Sequence, residues 1–283
     1  GPLINALGEQ VAVVSNKSQD EENINFAIPI DRIRQNLGEL FAPEVRKSFS
    51  TGLLLAPLAA KAEVAQVKKG SPAAKLDLLP GDLILRVDGK PINQQLDWLA
   101  ILLGHKAEDE LKLTVSRDKK KHQVILKLGA YPAPPTAKVK NPKPGLLFQV
   151  CHGRFDNAPD LNEQTVVKKG VAKALDVLAM GAPKADDFAI KLEGFLKIPA
   201  DGVYRLILNS DDGSVLRIGN QVVVDNDGPH PARDVGSLFR LRKGYLPIRI
   251  DYFEATGDAE LSFFIEDGSG KRSPASPLFF HSD

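Results

Sequence analysis

Five histidines, one cysteine and a scattering of hydroxyls are the side chains from which this sequence can build a reaction centre. His105, His122, His152, His230 and His281 are spread so that none stands at metal-ligand spacing from another histidine or from Cys151, and a zinc site is not expected. Cys151 is the only thiol, which leaves no internal disulfide and no dithiol redox chemistry. A Ser-His-Asp triad converges from distant positions, so spacing does not exclude one, but no Gly-x-Ser-x-Gly turn exists to present a serine nucleophile. The glycine patterns that cradle phosphate are absent as well. Lys68-Lys69-Gly70 and the lysines at 119–121 read as solvated turns.

These side chains are carried by 283 residues, enough for two domains with a core each or for one large one. Lys and Arg number 37 against 36 Asp and Glu, a net charge of +1, and 43% of residues are hydrophobic and 26% charged. That balance is globular, and argues against a dedicated nucleic-acid binder or a disordered tail. The longest apolar run, 53–60, is strand-sized and contains Pro57, so no membrane span and a soluble chain are expected. The sequence starts without methionine or a signal-like leader.

Between 128 and 146 the apolar alternation gives way to Gly129, Pro132, Pro134, Pro135, Pro142 and Pro144 with interleaved lysines, a composition that predicts a semi-rigid linker over 129–144. A long loop inside one domain is the alternative. Before it, the pattern predicts strands at 10–15 and 25–29, a helix capped by Asp31 with Gly38 near its end, and strands at 53–55 and 64–67. A short helix started by Ser71-Pro72, a strand at 83–87 turned by Asp88-Gly89, a helix over 96–103 and a hairpin closed by the basic turn at 118–121 follow. Beyond the linker, alternation at 188–192, 204–208, 215–218, 221–224, 246–252 and 261–265 predicts an antiparallel β-sandwich.

Gly1-Pro2-Leu3-Ile4-Asn5 and Phe26-Ala27-Ile28-Pro29-Ile30 resemble the end of the trypsin-like domain in HtrA/Deg serine proteases. The resemblance implies that residues 1–45 are a protease remnant with its connecting helix. It also implies that the nucleophile stands two residues before Gly1, so these 283 residues are expected to be proteolytically inert while the parent is a serine endopeptidase. Residues 46–128 resemble the PDZ domain that follows such proteases, through Thr51-Gly52-Leu53-Leu54, Lys69-Gly70-Ser71-Pro72-Ala73 and Leu79-Pro80-Gly81-Asp82-Leu83-Ile84 leading to Asp88-Gly89. The implied fold is a partly open β-barrel with two helices. The implied site is a loop at Thr51, Gly52, Leu53 and Leu54 that holds a peptide carboxylate beside a strand edge, with Trp98, Ile101 and Leu102 lining the pocket. Strand alternation requires at least one of Leu53, Leu54 and Leu55 to be core. Trp98 is either core or pocket rim.

Residues 145–283 resemble the protective-antigen-type β-sandwich, the PA-fourteen family, through 188–199, Asp201-Gly202-Val203-Tyr204, Asn209-Ser210-Asp211-Asp212-Gly213-Ser214, Val224-Asp225-Asn226-Asp227-Gly228 and 246–254. In lectin members of that family two consecutive aspartates joined by a cis peptide coordinate Ca²⁺, which binds sugar hydroxyls. Asp211 and Asp212 match that pair, which suits an ion that takes six to eight oxygen ligands. Asp258 is the favoured second-loop ligand, with Asn226 and Asp227 as alternatives. Each of these residues also reads as part of an ordinary polar turn. The whole is mainly β and multidomain. Its implied function is the regulatory and ligand-binding portion of an exported HtrA-like protease, periplasmic or at the cell surface, with protein C-termini and carbohydrate as partners. A non-enzymatic peptide- and glycan-binding adaptor, or a sandwich that is only a spacer, are the alternatives.

Overall fold

Alternating apolar residues make strands the main secondary structure in the computed structural model, which describes residues 1–17, 25–180, 186–257 and 259–282. They are arranged in two compact units, Gly1–Pro132 and Ala133–Asp283. The first begins with a three-stranded antiparallel sheet in the order β1 (Pro2–Ile4), β2 (Gln10–Lys17), β3 (Asn25–Pro29). Helix α1 (Ile30–Phe41) follows without a turn. Asp31, expected as its cap, lies in its first turn instead, because strand β3 runs straight into the helix and Pro29 occupies the N-cap. The helix passes through Gly38 and stops at Ala42, which adopts φ 37° and bonds its N–H to the Gly38 carbonyl at 2.9 Å.

After α2 (Pro43–Lys47) come β4 (Phe49–Ser50), β5 (Leu53–Leu55) and β6 (Val64–Val67). The helix expected after Ser71 is a single 3₁₀ turn, Ala73–Leu76, whose Ala74 N–H donates to Ser71 Oγ at 3.3 Å. Then follow β7 (Leu83–Val87), β8 (Lys90–Pro91), α3 (Gln95–Leu102), β9 (Glu110–Arg117), β10 (Lys120–Lys127) and β11 (Gly129–Ala130). The main sheet runs β10-β9-β7-β8, while β5 pairs with β6 and β11 with β4. Tight turns close the two hairpins with paired positive φ values, Asp88 at 49° and Gly89 at 79°, and Asp118 at 49° and Lys119 at 64°. Phe49, Leu55, Val64, Ile84, Trp98 and Leu113 build the core. Arg117 clamps the buried Asp82 through two bonds, Nε at 2.7 Å and Nη2 at 2.8 Å, tying β9 to the turn before β7.

The segment expected as a linker is partly paired: Gly129–Ala130 lie against β4, and Ala137 donates to the Tyr245 carbonyl at 2.7 Å. At its far end β12 (Lys143–Pro144) joins the second unit, which continues with β13 (Leu146–His152), β14 (Val166–Ala172), β15 (Phe188–Ile198), β16 (Gly202–Ser210), β17 (Ser214–Ile218) and β18 (Gln221–Asn226). It ends with β19 (Arg233–Leu241), β20 (Gly244–Glu254), β21 (Leu261–Glu266), β22 (Arg272–Pro274) and β23 (Phe279–His281). One sheet follows β12-β23-β15-β20-β17-β18 with β13 and β14 added beside β15, and the other is β19-β16-β21-β22. Both are antiparallel, and Leu192, Leu216, Ile250 and Tyr252 from the first share a core with Leu206, Leu208, Phe263 and Ile265 from the second.

Candidate functional site

The first candidate lies along β5. Alternation there is as the leucine run requires: Leu53 and Leu55 are buried in the core and Leu54 is exposed. Toward β6, the Gly52 carbonyl accepts from Lys68 N–H at 2.8 Å and Ala56 N–H donates to the Glu63 carbonyl at 2.9 Å. Backbone direction reverses at each residue of a strand, so the N–H and C=O groups of Leu53 and Leu55 point to the opposite edge, which no strand among the described residues covers. Two of these groups are met from within: Leu53 N–H donates to Thr51 Oγ1 at 3.0 Å, and Gln95 Nε2 donates to the Leu55 carbonyl at 3.3 Å. Gln95 opens α3 and is itself buried, yet its Oε1 has no hydrogen-bond partner.

The loop ahead of β5 is held from below. Thr51 is fully buried, and both its N–H, at 2.9 Å, and its hydroxyl donate to Glu44 Oε1. Burial pushes the Glu44 carboxyl above the usual range, with the Thr51 bonds pulling it back. Gly52 has φ 77°, and a Cβ on it would stand 2.0 Å from Ser71 Oγ, so conformation and close approach both demand glycine. Of the helix residues expected at the pocket, Trp98 takes the core alternative and Leu102 joins it there. Trp98 and Leu102 are 2% and 1% exposed and belong to the core, because α3 is apolar nearly all round and turns those two inward; Ile101 is half-buried against the same core.

The second candidate is the Asp211-Asp212-Gly213 turn between β16 and β17. The bond between the two aspartates is trans, not cis, and Asp212 adopts φ 52°. That conformation turns its nearly buried carboxylate inward, where Oδ1 accepts from His230 N–H at 3.1 Å and Oδ2 from Ala255 N–H at 2.7 Å and Thr256 N–H at 3.2 Å. Asp211 is partly exposed. The third acid of the cluster was not anticipated: Glu254 ends β20, is completely buried, and its carboxylate lies within 4.8 Å of those of Asp211 and Asp212. Tyr252 Oη donates to its Oε2 at 2.5 Å, while Oε1 has no partner. Burial, opposed by the Tyr252 bond and reinforced by the Asp212 charge, a side-chain hydrogen bond with Asp212 and the Asp211 charge, pushes the Glu254 carboxyl up to about 8. Its signal was present in the sequence: Leu246, Ile248, Ile250, Tyr252 and Glu254 share one parity, so the acid occupies an inward position of an apolar face.

The other expected ligands are engaged elsewhere. Asn226 is fully buried, donating to Ser210 Oγ at 2.9 Å and accepting from Arg233 Nε at 2.7 Å. Asp227 Oδ1 accepts from Ala158 N–H at 2.8 Å and Gly228 N–H at 2.9 Å, so it fastens a loop to a turn. Asp258 lies outside the described residues. Three carboxylates whose oxygens lie within 4.8 Å of one another fit a divalent cation such as Ca²⁺, which takes hard oxygen ligands and would hold Glu254 in its charged form.

Comparison with known families places both units. Residues 36–128 match the PDZ domain and residues 155–274 the PA14 domain, so the chain joins a PDZ domain to a PA14 β-sandwich. Over the PDZ-containing part it is similar to HtrA/DegP-like serine proteases. It is 31% identical over 152 residues to the "Putative serine protease HhoB" of Synechocystis sp., covering 47% of this chain and 36% of that one. It is 33% identical over 148 residues to a "Probable periplasmic serine endoprotease DegP-like" of Pseudomonas fluorescens, covering 47% of this chain and 31% of that one. The chain thus spans about a third of the length of these curated relatives. Among solved structures, the Epithelial Adhesin 9 A domain of Candida glabrata in complex with Galb1-3GlcNAc is 13% identical with a TM-score of 0.46, covering 54% of this chain and 97% of its own. The PA14 domain of the antifreeze protein MpAFP is 16% identical with a TM-score of 0.40, covering 53% and 97%.

Proposed function

We propose that this chain is the regulatory and ligand-binding portion of an exported HtrA-like serine protease. The PDZ domain takes the free C-terminus of a protein as an added strand along β5, and the PA14 sandwich holds Ca²⁺ between Asp211, Asp212 and Glu254 and presents it to carbohydrate hydroxyls. The observation that carries the reading is the uncovered edge of β5 beside α3, preceded by a glycine loop at Thr51-Gly52. A peptide whose carboxylate meets that loop lies antiparallel to β5 and finds backbone partners at Leu53 and Leu55. Hydrolysis, in this reading, belongs to a serine, histidine and aspartate outside these 283 residues, and casein digestion by this chain, blocked by a serine-directed inhibitor, would overturn that.

Titration with a fluorescent peptide tests the first half. Free-acid peptides are expected to bind at least tenfold more tightly than their amides, since a charge-assisted bond to backbone N–H groups is lost on amidation, at roughly 1.5 kcal/mol or more. Equal affinities remove the carboxylate loop. For the second half, binding to a glycan array is expected with Ca²⁺ and not with EDTA. Glycan binding that ignores EDTA removes the ion from recognition, and no glycan binding in either condition leaves the sandwich as a spacer.

A further inference from the structure

We infer that the peptide groove continues past the end of β5 into a cavity built by the N-terminal sheet and α1, and that this cavity takes an apolar side chain upstream of the peptide's C-terminus. The inference rests on the strand-addition reading above. A peptide anchored by its carboxylate at Thr51-Gly52 spans β5 at about 3.3 Å per residue, so its last three residues pair with Leu53–Leu55 and the residues before them leave toward Pro57. At that point lies a cavity of 570 Å³, lined on one side by Pro57, Gln95 and Leu96 and on the other by Val11 of β2 and Ile33 and Leu37 of α1. The volume falls in the range of small-ligand sites and exceeds one leucine side chain several-fold.

Gln95 stands at the junction. Its amide nitrogen covers the last edge carbonyl of β5, its side chain lines the cavity, and its Oε1 is buried without a partner. A buried orphan acceptor costs stability unless a ligand donor completes it, and the backbone N–H of a peptide residue leaving β5 is such a donor. Glu9, Arg34 and Gln94 line the cavity beside its apolar residues, and it is the apolar part that adds selectivity, since Val11 is 39% and Leu96 37% exposed and both lose water contact when an apolar side chain enters. The site therefore reads more than the terminal residues, and the elements that read the extra residue are the ones that lie N-terminal to the PDZ fold.

The test uses the whole chain and three free-acid peptides: a tripeptide, and two heptapeptides that extend it with leucine or serine five residues before the C-terminus. Anisotropy is expected to give the leucine heptapeptide about tenfold higher affinity than the tripeptide, as burial of one leucine in a part-open site allows, and the serine heptapeptide most of that gain lost. Val11→Asp and Leu96→Asp, both at part-exposed positions, are expected to abolish the gain while the tripeptide affinity stays as in the parent; circular dichroism checks that each is folded. Equal affinities for the two heptapeptides, or a gain that survives both substitutions, overturn the extended groove and leave strand addition intact. Failure of every peptide to bind overturns strand addition and the extension with it.

Discussion

Ionisation of Glu254 gives the acidic cluster a signature that a polar turn lacks. With its pKa near 8, about nine-tenths of the carboxyl is protonated at pH 7 and about one-tenth at pH 9. A cation that coordinates the carboxylate must expel that proton. Calorimetry in two buffers of different ionisation enthalpy is therefore expected to record about 0.9 proton released per Ca²⁺ at pH 7 and about 0.1 at pH 9, with affinity about tenfold weaker at the lower pH. Glu254→Gln is expected to weaken binding and to abolish both the proton release and the pH dependence. Without metal the sign is the opposite of the usual carboxylate case. The folded pKa lies above the unfolded value of 4.5, so the contribution to stability is complete below that value and is lost as pH rises through about 8. At full ionisation the loss is about 5 kcal/mol, an order of magnitude set mainly by burial of the charge. In EDTA, then, the parent's melting temperature is expected to fall from pH 5 to pH 9, that of Glu254→Gln to change little, and Ca²⁺ to restore the parent at the alkaline end. Equal Ca²⁺ affinity at pH 7 and pH 9 with no proton exchange refutes the coordination of Glu254.

Asp212→Ala is expected to destabilise the sandwich by about 3 kcal/mol in urea unfolding, because three backbone N–H donors lose their acceptor, whereas Asp211→Asn is expected to leave stability within about 0.5 kcal/mol and weaken only Ca²⁺ binding. Gly52→Ala is expected to lower the stability of the N-terminal unit by more than about 2 kcal/mol and to abolish peptide binding, since its Cβ would overlap Ser71 Oγ; a parent-like denaturation midpoint would show that the loop yields freely.

Much of the fold was legible because its signals are local. Leu53, Leu54 and Leu55 declare a strand, Asp88-Gly89 and Gly219-Asn220 declare the turns, and the alternation from Leu246 to Tyr252 declares a sandwich face. What stayed hidden depends on partners distant in sequence. The residues of β14 and β19 are mostly exposed or half-buried, so their strand character comes from pairing with β13 and β16 and leaves little trace in their own pattern. Trp98 was undecided between core and groove, and Leu102 was expected in the groove, because Leu96, Trp98, Leu99, Ile101 and Leu102 cover most of the circumference of α3. The inward turn of Asp212 is set by N–H groups at His230, Ala255 and Thr256, positions that no spacing rule connects to it.

Both candidate sites share a physical pattern. In each, most polar groups are already held by the scaffold: Thr51 by Glu44, the Leu55 carbonyl by Gln95, the Asp212 carboxylate by three backbone donors, Glu254 Oε2 by Tyr252. This rigidity limits the entropy a ligand must remove on binding. In each, one buried acceptor is left over, and among the described residues only Gln95 Oε1, Asn209 Oδ1 and Glu254 Oε1 are buried side-chain atoms without a partner. A buried orphan costs about 1–3 kcal/mol, and folded proteins keep few of them. Two of the three stand where the PDZ edge and the acidic turn would meet a donor, one a peptide N–H and the other a cation. In the proposed complexes a peptide N–H would complete Gln95 Oε1, and a cation would replace the proton that Glu254 holds beside Asp212 in the free protein.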